Sequence, residues 1–355
     1  MSTSILMGRD ISLQQREIEF DKGRAIGMWF KELTGFQEQS PDQVRSHFAV
    51  DGEYLRSLAN GRSFCFGKLE LSSLQELRAQ TKHLSLPKGK MKLQEYVGDV
   101  QQLHLDVVNK NSVIQVASQF NLLEMVSPNV TPEMGIDRYE NDPTQGPACA
   151  IACGAGTIWR NYFVEVDGKL GQSVTRQVDT MKDMGIALGN EDGSLWEMQN
   201  GYLLPSKEGL ERINARLSQS NTASRDALKQ LYRVGVQWNT EVTLNNAGHT
   251  VTQVYASALP VAYTTFPDEQ WEPFARLILE AAYESTLHTA LLNLHYTGNN
   301  KVYLTLLGGG AFGNRLKWIY DAMKMALHRF VTIRWMSPSS VTGVPNRKRC
   351  ASLNQ

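Results

Sequence analysis

The 355-residue chain has only four cysteines, Cys65, Cys149, Cys153 and Cys350, and no CxxC pair. A disulfide framework and a zinc knuckle are thereby excluded, and a reducing compartment fits. No segment supplies the roughly 18 unbroken apolar residues that a membrane span needs. The apolar run near the start breaks at Gly8-Arg9-Asp10, well short of a signal peptide's apolar region, so a cytoplasmic or nuclear protein is expected. An excess of one charge is missing too, with 36 Lys and Arg against 36 Asp and Glu. Neither nucleic acid nor a membrane is therefore expected as a partner, and an anionic ligand must be caught by local geometry. There is no internal repeat and no low-complexity tract.

What remains is a globular composition, 42% hydrophobic and 20% charged, long enough for two domains or for one α/β domain with insertions. Helical spacing marks residues 12–37. Ser40-Pro41-Asp42 then opens a second helix running toward Leu58. Phe64–Leu69 reads as a short strand and Leu74–Lys82 as a helix. The linker Pro87-Lys88-Gly89-Lys90 sets a boundary between a helical N-terminal extension, 1–90, and a main domain, 91–340, with a tail at 341–355.

In the main domain short apolar runs alternate with helices, the pattern of an α/β layered fold. Strands are expected at Lys92–Val97, Val113–Ser118, Val302–Leu307 and Phe330–Met336. Long helices are expected from Pro267-Asp268-Glu269 to Gly298 and from Asn314 to Arg329. Strand 302–307, a glycine loop, helix 314–329 and strand 330–336 form one βαβ unit. Region 160–262 reads as an insertion, with hairpin signals at Val166-Asp167-Gly168 and Asn245-Asn246-Ala247-Gly248, a helix at 206–217, and strands 234–244 and 250–258 pairing across the second turn.

Three stretches carry chemistry. Gly308-Gly309-Gly310-Ala311-Phe312-Gly313-Asn314 joins a strand to a helix and is nearly bare of side chains, so its amides offer a phosphate or diphosphate cradle. It lacks the lysine of a GxxxxGK[ST] loop and the order of GxGxxG. A tight turn is the alternative. The run Val113–Glu124 is a buried strand ending in polar groups, which brings Asn121 and Glu124 toward a ligand at a strand's carboxyl end unless Asn121 only caps a turn. The loop 132–147 gathers Asp137, Glu140 and Asp142 ahead of a small-residue helix, 148–158. These carboxylates suit water activation or an oxocarbenium-like sugar, or alternatively Mg²⁺ or Ca²⁺ binding. A solvated acidic loop, with Asp142 or Thr144 capping the helix, accounts for them equally. His104, His249, His288 and His328 stand singly and read as structural or surface residues, and Trp196, Trp238 and Phe312 are candidate stacking surfaces, with core packing the favoured role for any one of them.

Taken in order, these pieces resemble a macrodomain, a three-layer α/β/α module with a mixed sheet that binds ADP-ribose. Val97-Gly98-Asp99-Val100 looks like the family's GDIT-type turn, which implies that Asp99 contacts adenine, with Val100 beside it. Val113–Asn121 looks like its IVNAAN-type strand, implying that Asn121 orients the distal ribose. Leu307–Asn314 looks like its second phosphate loop. The order of long helix, strand and GAFGN-like loop is similar to bacterial-type poly(ADP-ribose) glycohydrolases, although the first glycine loop and the paired glutamates of that branch are missing. The acidic loop with its Thr144-Gln145-Gly146-Pro147 helix start looks more like effector-type macrodomains that remove ADP-ribose from arginine of ubiquitin.

The resemblance implies a hydrolase for protein-linked ADP-ribose, with ubiquitin among the candidate carriers. Asp137, Glu140 or Asp142 would act on water, the amides of Gly309–Gly313 would hold diphosphate, and Glu124, Thr144 and Gln145 would also contact the ligand. No cofactor is required by the spacing, with Mg²⁺ left as an alternative. A non-catalytic ADP-ribose reader and a metal-dependent phosphoesterase are the rival functions.

Overall fold

A computed structural model describes residues 28–85 and 91–330. Helix α1 (Met28–Thr34) is followed by α2 (Pro41–Ser46), capped by the Ser40 side chain, which accepts from the Gln43 N–H, with Pro41 in the first turn. The helix expected to continue to Leu58 ends here. Strand β1 (Phe48–Asp51) instead turns back into β2 (Tyr54–Ser57), and β3 (Ser63–Cys65) pairs with β2. Asp51-Gly52 is a hairpin signal, and Gly52 adopts the positive φ of 56° that such a turn requires. A small sheet thus stands beside the N-terminal helices.

Strand β4 (Lys68–Ser73) leads into α3 (Leu74–Thr81), which opens on a reciprocal Ser73–Glu76 capping box. Then follow α4 (Val100–Leu105), β5 (Val113–Ala117), α5 (Gln145–Ala152), α6 (Gly154–Ile158) and a π-helical turn, Trp159–Phe163. Two short hairpins, β6 (Glu165–Val166) with β7 (Lys169–Leu170) and β8 (Trp196–Gln199) with β9 (Tyr202–Pro205), flank α7 (Lys182–Leu188). Helices α8 (Lys207–Gln219) and α9 (Thr222–Gln230), strands β10 (Arg233–Glu241) and β11 (Thr250–Ala256), helix α10 (Asp268–Thr297), strand β12 (Val302–Tyr303) and helix α11 (Leu316–His328) complete the described chain.

The central sheet runs β12-β5-β11-β10-β4 and is mixed: β12, β5 and β11 are mutually parallel, while β10 is antiparallel to both β11 and β4. Period-2 alternation sends Ile114 and Val116 of β5 toward α4 and α5, and Val113 toward α10, so both faces are covered. The result is the expected three-layer α/β/α arrangement with a mixed sheet. Helix α10 is its main support, with Phe274, Ile278, Ala281, Ala282, Leu287 and Leu291 all buried. Each large apolar side chain so placed contributes about 1.5–3 kcal/mol. Its end at Gly298, with φ 74°, is where the sequence placed it.

The sheet draws on all three expected segments. β4 precedes the expected boundary at 90, and β10 and β11 lie within the expected insertion 160–262, so those divisions cut through it. The linker at 87–90 and the tail at 341–355 lie outside the described residues, as does the expected strand beyond Phe330. Residues 92–97 form no strand; Glu95, Tyr96 and Val97 are exposed and without a pairing edge. Among the described residues no helix is long and apolar enough to cross a membrane.

Candidate active site

β12 is only two residues long, and the reason lies in Gln145, the first residue of α5. Its Oε1 accepts from the Ala117 N–H at 2.9 Å and its Nε2 donates to the Gln115 carbonyl at 2.9 Å, so a side-chain amide takes the edge bonds that a longer β12 would have made. After Tyr303 the main chain no longer pairs with β5, and a cleft opens at the carboxyl ends of the three parallel strands. This is the position at which open α/β sheets gather ligands. Counting its open mouth the cleft holds about 740 Å³.

The far wall is the glycine loop. Gly308 has φ +71°, and a Cβ there would stand 2.5 Å from the Cβ of Ala258, so only glycine fits. Three amides close the loop on itself: Gly309 donates to the Leu306 carbonyl, Gly313 to Gly310 and Asn314 to Gly308, each at 2.9 Å. Asn314 also donates from Nδ2 to the Leu259 carbonyl at 2.8 Å, which pins the loop to the segment after β11. Among the described residues the N–H groups of Gly310, Ala311 and Phe312 make no such bonds. Of the amides expected to form a cradle over Gly309–Gly313, those of Gly309 and Gly313 serve the turn, and those of Gly310, Ala311 and Phe312 do not. Phe312 joins Tyr202 and Tyr263 in a cluster on the cleft wall, with ring centroids 5.1–5.7 Å apart.

The near wall is built by the start of α5 and the turn after β5. Asp142, Thr144 and Gln145 line it, as does Glu124. The Asp142 carboxylate accepts from the Thr144 N–H at 2.8 Å and so organises the helix start, while the Thr144 side chain makes no cap. Gly146 permits the close approach of α5 to β5: a Cβ at this position would lie 2.0 Å from the Ala117 carbonyl oxygen.

Glu124 is 1% exposed, and neither carboxylate oxygen has a hydrogen-bond partner. Its backbone N–H donates to Tyr139 Oη at 3.0 Å, and Arg160 Nη2 stands 3.8 Å from Oε2. Burial pushes the Glu124 carboxyl up to about 8, against the opposing pull of the Arg160 guanidinium.

The other acidic-loop residues point elsewhere. The Asp137 N–H donates to Glu38 Oε2 at 2.7 Å and its carbonyl accepts from Trp29 Nε1 at 2.9 Å, while Glu140 Oε2 accepts from the Trp29 N–H at 3.4 Å. Asp137 through its backbone and Glu140 through its carboxylate thus belong to the contact with the N-terminal layer, and of the three only Asp142 lines the cleft. Asn121 does not reach it either: Oδ1 accepts from the Leu123 N–H and Nδ2 donates to Gln177, so it holds the turn in which Leu122 takes φ 65°. Asp99 caps α4 by accepting from the Gln101 and Gln102 N–H groups, and neither it nor Val100 lines the cleft.

Trp196 and Trp238 are packed away, the former against Phe274 and the latter bonded to Glu70. His104 is a structural residue, bonded to the Val100 carbonyl and Gln253, and burial holds it down at about 4. Among the described residues no three His, Cys, Asp or Glu side chains gather to hold a metal ion. Sequence reasoning missed Tyr202, Tyr263 and Arg160. None stands in a local motif, and only long-range packing brings them to the cleft or to Glu124.

No known protein family matches the chain, and no curated protein matches it. Among solved structures it is similar to poly(ADP-ribose) glycohydrolase from Thermomonospora curvata, with a TM-score of 0.41 and 9% identity over 89% of this chain and 92% of that one. The same enzyme bound to the inhibitor ADP-HPD gives a TM-score of 0.40 and 10% identity over 90% and 92%.

Proposed function

We propose that this protein hydrolyses the glycosidic bond of protein-linked ADP-ribose. The observation that carries the reading is that Asp142 and the amides of Gly310, Ala311 and Phe312 line a single cleft. A carboxylate suits a water molecule that attacks an anomeric carbon, and backbone amides left without partners in the loop suit the diphosphate next to it. The rings of Tyr263 and Phe312, backed by the buried Tyr202, offer flat apolar surface to the nucleoside. The acidic loop and the Thr144-Gln145-Gly146-Pro147 helix start, through their resemblance to the effector-type branch, support arginine-linked ADP-ribose and ubiquitin as the linkage and carrier.

In this mechanism Asp142 orients a water and accepts its proton as the new bond to the anomeric carbon forms. Positive charge develops on the sugar as the bond to the carrier lengthens, and the nearby carboxylate stabilises it. The diphosphate fixes the sugar relative to Asp142, so the attack takes place within a bound complex.

Calorimetric titration with ADP-ribose tests the site. Saturable binding is expected for the wild type, with loss in Gly310→Glu, whose carboxylate repels the diphosphate. Absence of wild-type binding overturns the reading.

A further inference from the structure

Glu124 is the most unusual group in the cleft wall. It follows the turn that ends β5, is buried, and offers both carboxyl oxygens without a hydrogen-bond partner. Arg160, the charged neighbour at 3.8 Å, gives Nε to the Leu122 carbonyl and Nη2 to Thr157 Oγ1, both at 3.1 Å, while its buried Nη1 has no partner. Its Cζ lies 3.6 Å from the centroid of the Tyr255 ring, so the cation is held by an aromatic face and a carbonyl and does not close on the carboxylate. A buried carboxyl left with empty oxygens is costly to fold unless it stays protonated or serves a purpose. The groups that face it are Arg160, Tyr139, Asp142 and Tyr255. Burial keeps its proton on up to about pH 8, and the Asp142 carboxylate adds to the effect.

We infer that Glu124 is the proton donor to the leaving group and that Arg160 is its positioning residue. The inference rests on the hydrolase reading above. The two carboxyl groups then divide the work: Asp142 takes a proton from water while Glu124 gives one to the departing atom of the carrier. The bond from the anomeric carbon to that atom breaks, its electron pair stays with the carrier, and the Glu124 proton lands there. Water supplies the hydroxyl at the anomeric carbon and its second proton goes to Asp142. Solvent takes that proton from Asp142 and returns one to Glu124, so the enzyme is restored.

The test compares two substrates: a peptide with ADP-ribose on arginine, whose leaving group needs a proton, and ADP-ribose bearing 4-nitrophenolate at the anomeric carbon, whose leaving group does not. Glu124→Gln is expected to lower kcat on the peptide by about 100-fold or more, and to leave the nitrophenyl substrate within about tenfold of wild type. Equal losses on both substrates overturn the inference while the hydrolase reading stands. A wild type inert toward both substrates overturns both.

A second measurement reads Arg160 in a protein that keeps Glu124. Arg160 opposes the upward shift of Glu124, so Arg160→Gln should move the alkaline limb of kcat/KM for the peptide to higher pH. A limb that stays in place shows that Arg160 does not act through Glu124.

Discussion

The side chain of Gln145 bonds both to the Ala117 N–H and to the Gln115 carbonyl, standing in for a neighbouring strand at the edge of β5. A single residue at a helix start thereby limits β12 and opens the cleft. Gln145→Leu leaves those two backbone groups unpaired. We expect a loss of about 2–6 kcal/mol in unfolding free energy, two unmet groups at roughly 1–3 each, measured by urea denaturation. Gln145→Glu should do no better, because a carboxylate cannot donate to the Gln115 carbonyl.

Glu38 predicts a pH dependence of stability. The half-buried carboxyl accepts from Tyr162 Oη and from the Asp137 N–H, yet burial pushes it up to about 7. The folded state therefore holds a proton that the unfolded chain has already released, and stability falls as pH rises from about 4.5 to 7. Glu124 acts with the same sign from about 4.5 to 8. The urea midpoint followed across this range should decline less steeply in Glu38→Gln than in wild type, and identical slopes would refute the assignment.

The acidic loop yields a contrast between its carboxylates. Asp142→Asn should cut turnover of the ADP-ribosylated peptide by about 100-fold or more with little change in melting temperature. Asp137→Asn and Glu140→Gln sit against Trp29 and Glu38, so any effect should appear in stability first. Full activity in Asp142→Asn would remove it from the mechanism.

A truncation tests how the chain is divided. β4 closes one edge of the central sheet, and Arg78 on α3 reaches Glu284 on α10 at 2.7 Å, where that carboxylate is 3% exposed. A fragment starting at residue 91 loses a strand and one of the two arginines that face Glu284, keeping only Arg329 at 3.2 Å. It should show no cooperative thermal transition, and a folded fragment would prove the boundary at 90 real.

Several features of the fold were legible because their signals are local. Pro267-Asp268-Glu269 and Gly298 bracket α10, Asp167-Gly168 turns the β6–β7 hairpin, and alternation marks β10 and β11 as a pair. The Asp51-Gly52 turn was equally local and was hidden only by the polar residues around it. The glycine loop could be read too, since a run of glycines between a strand and a helix is itself a local signal.

The sequence by itself therefore determined the layered α/β class, the starts and ends of the long helices, and a glycine-rich loop between a strand and a helix. Each follows from backbone preference and hydrophobic period, which act over a few residues. Only the tertiary structure decided that Asp142 and Glu124 line one cleft while Asp137 and Glu140 turn to the N-terminal layer. It alone decided that Asn121 holds a turn, and that Arg160 stands beside Glu124 from a position 36 residues further along the chain. Protonation depends on burial and on neighbours distant in sequence, and those are properties of packing that no local pattern encodes.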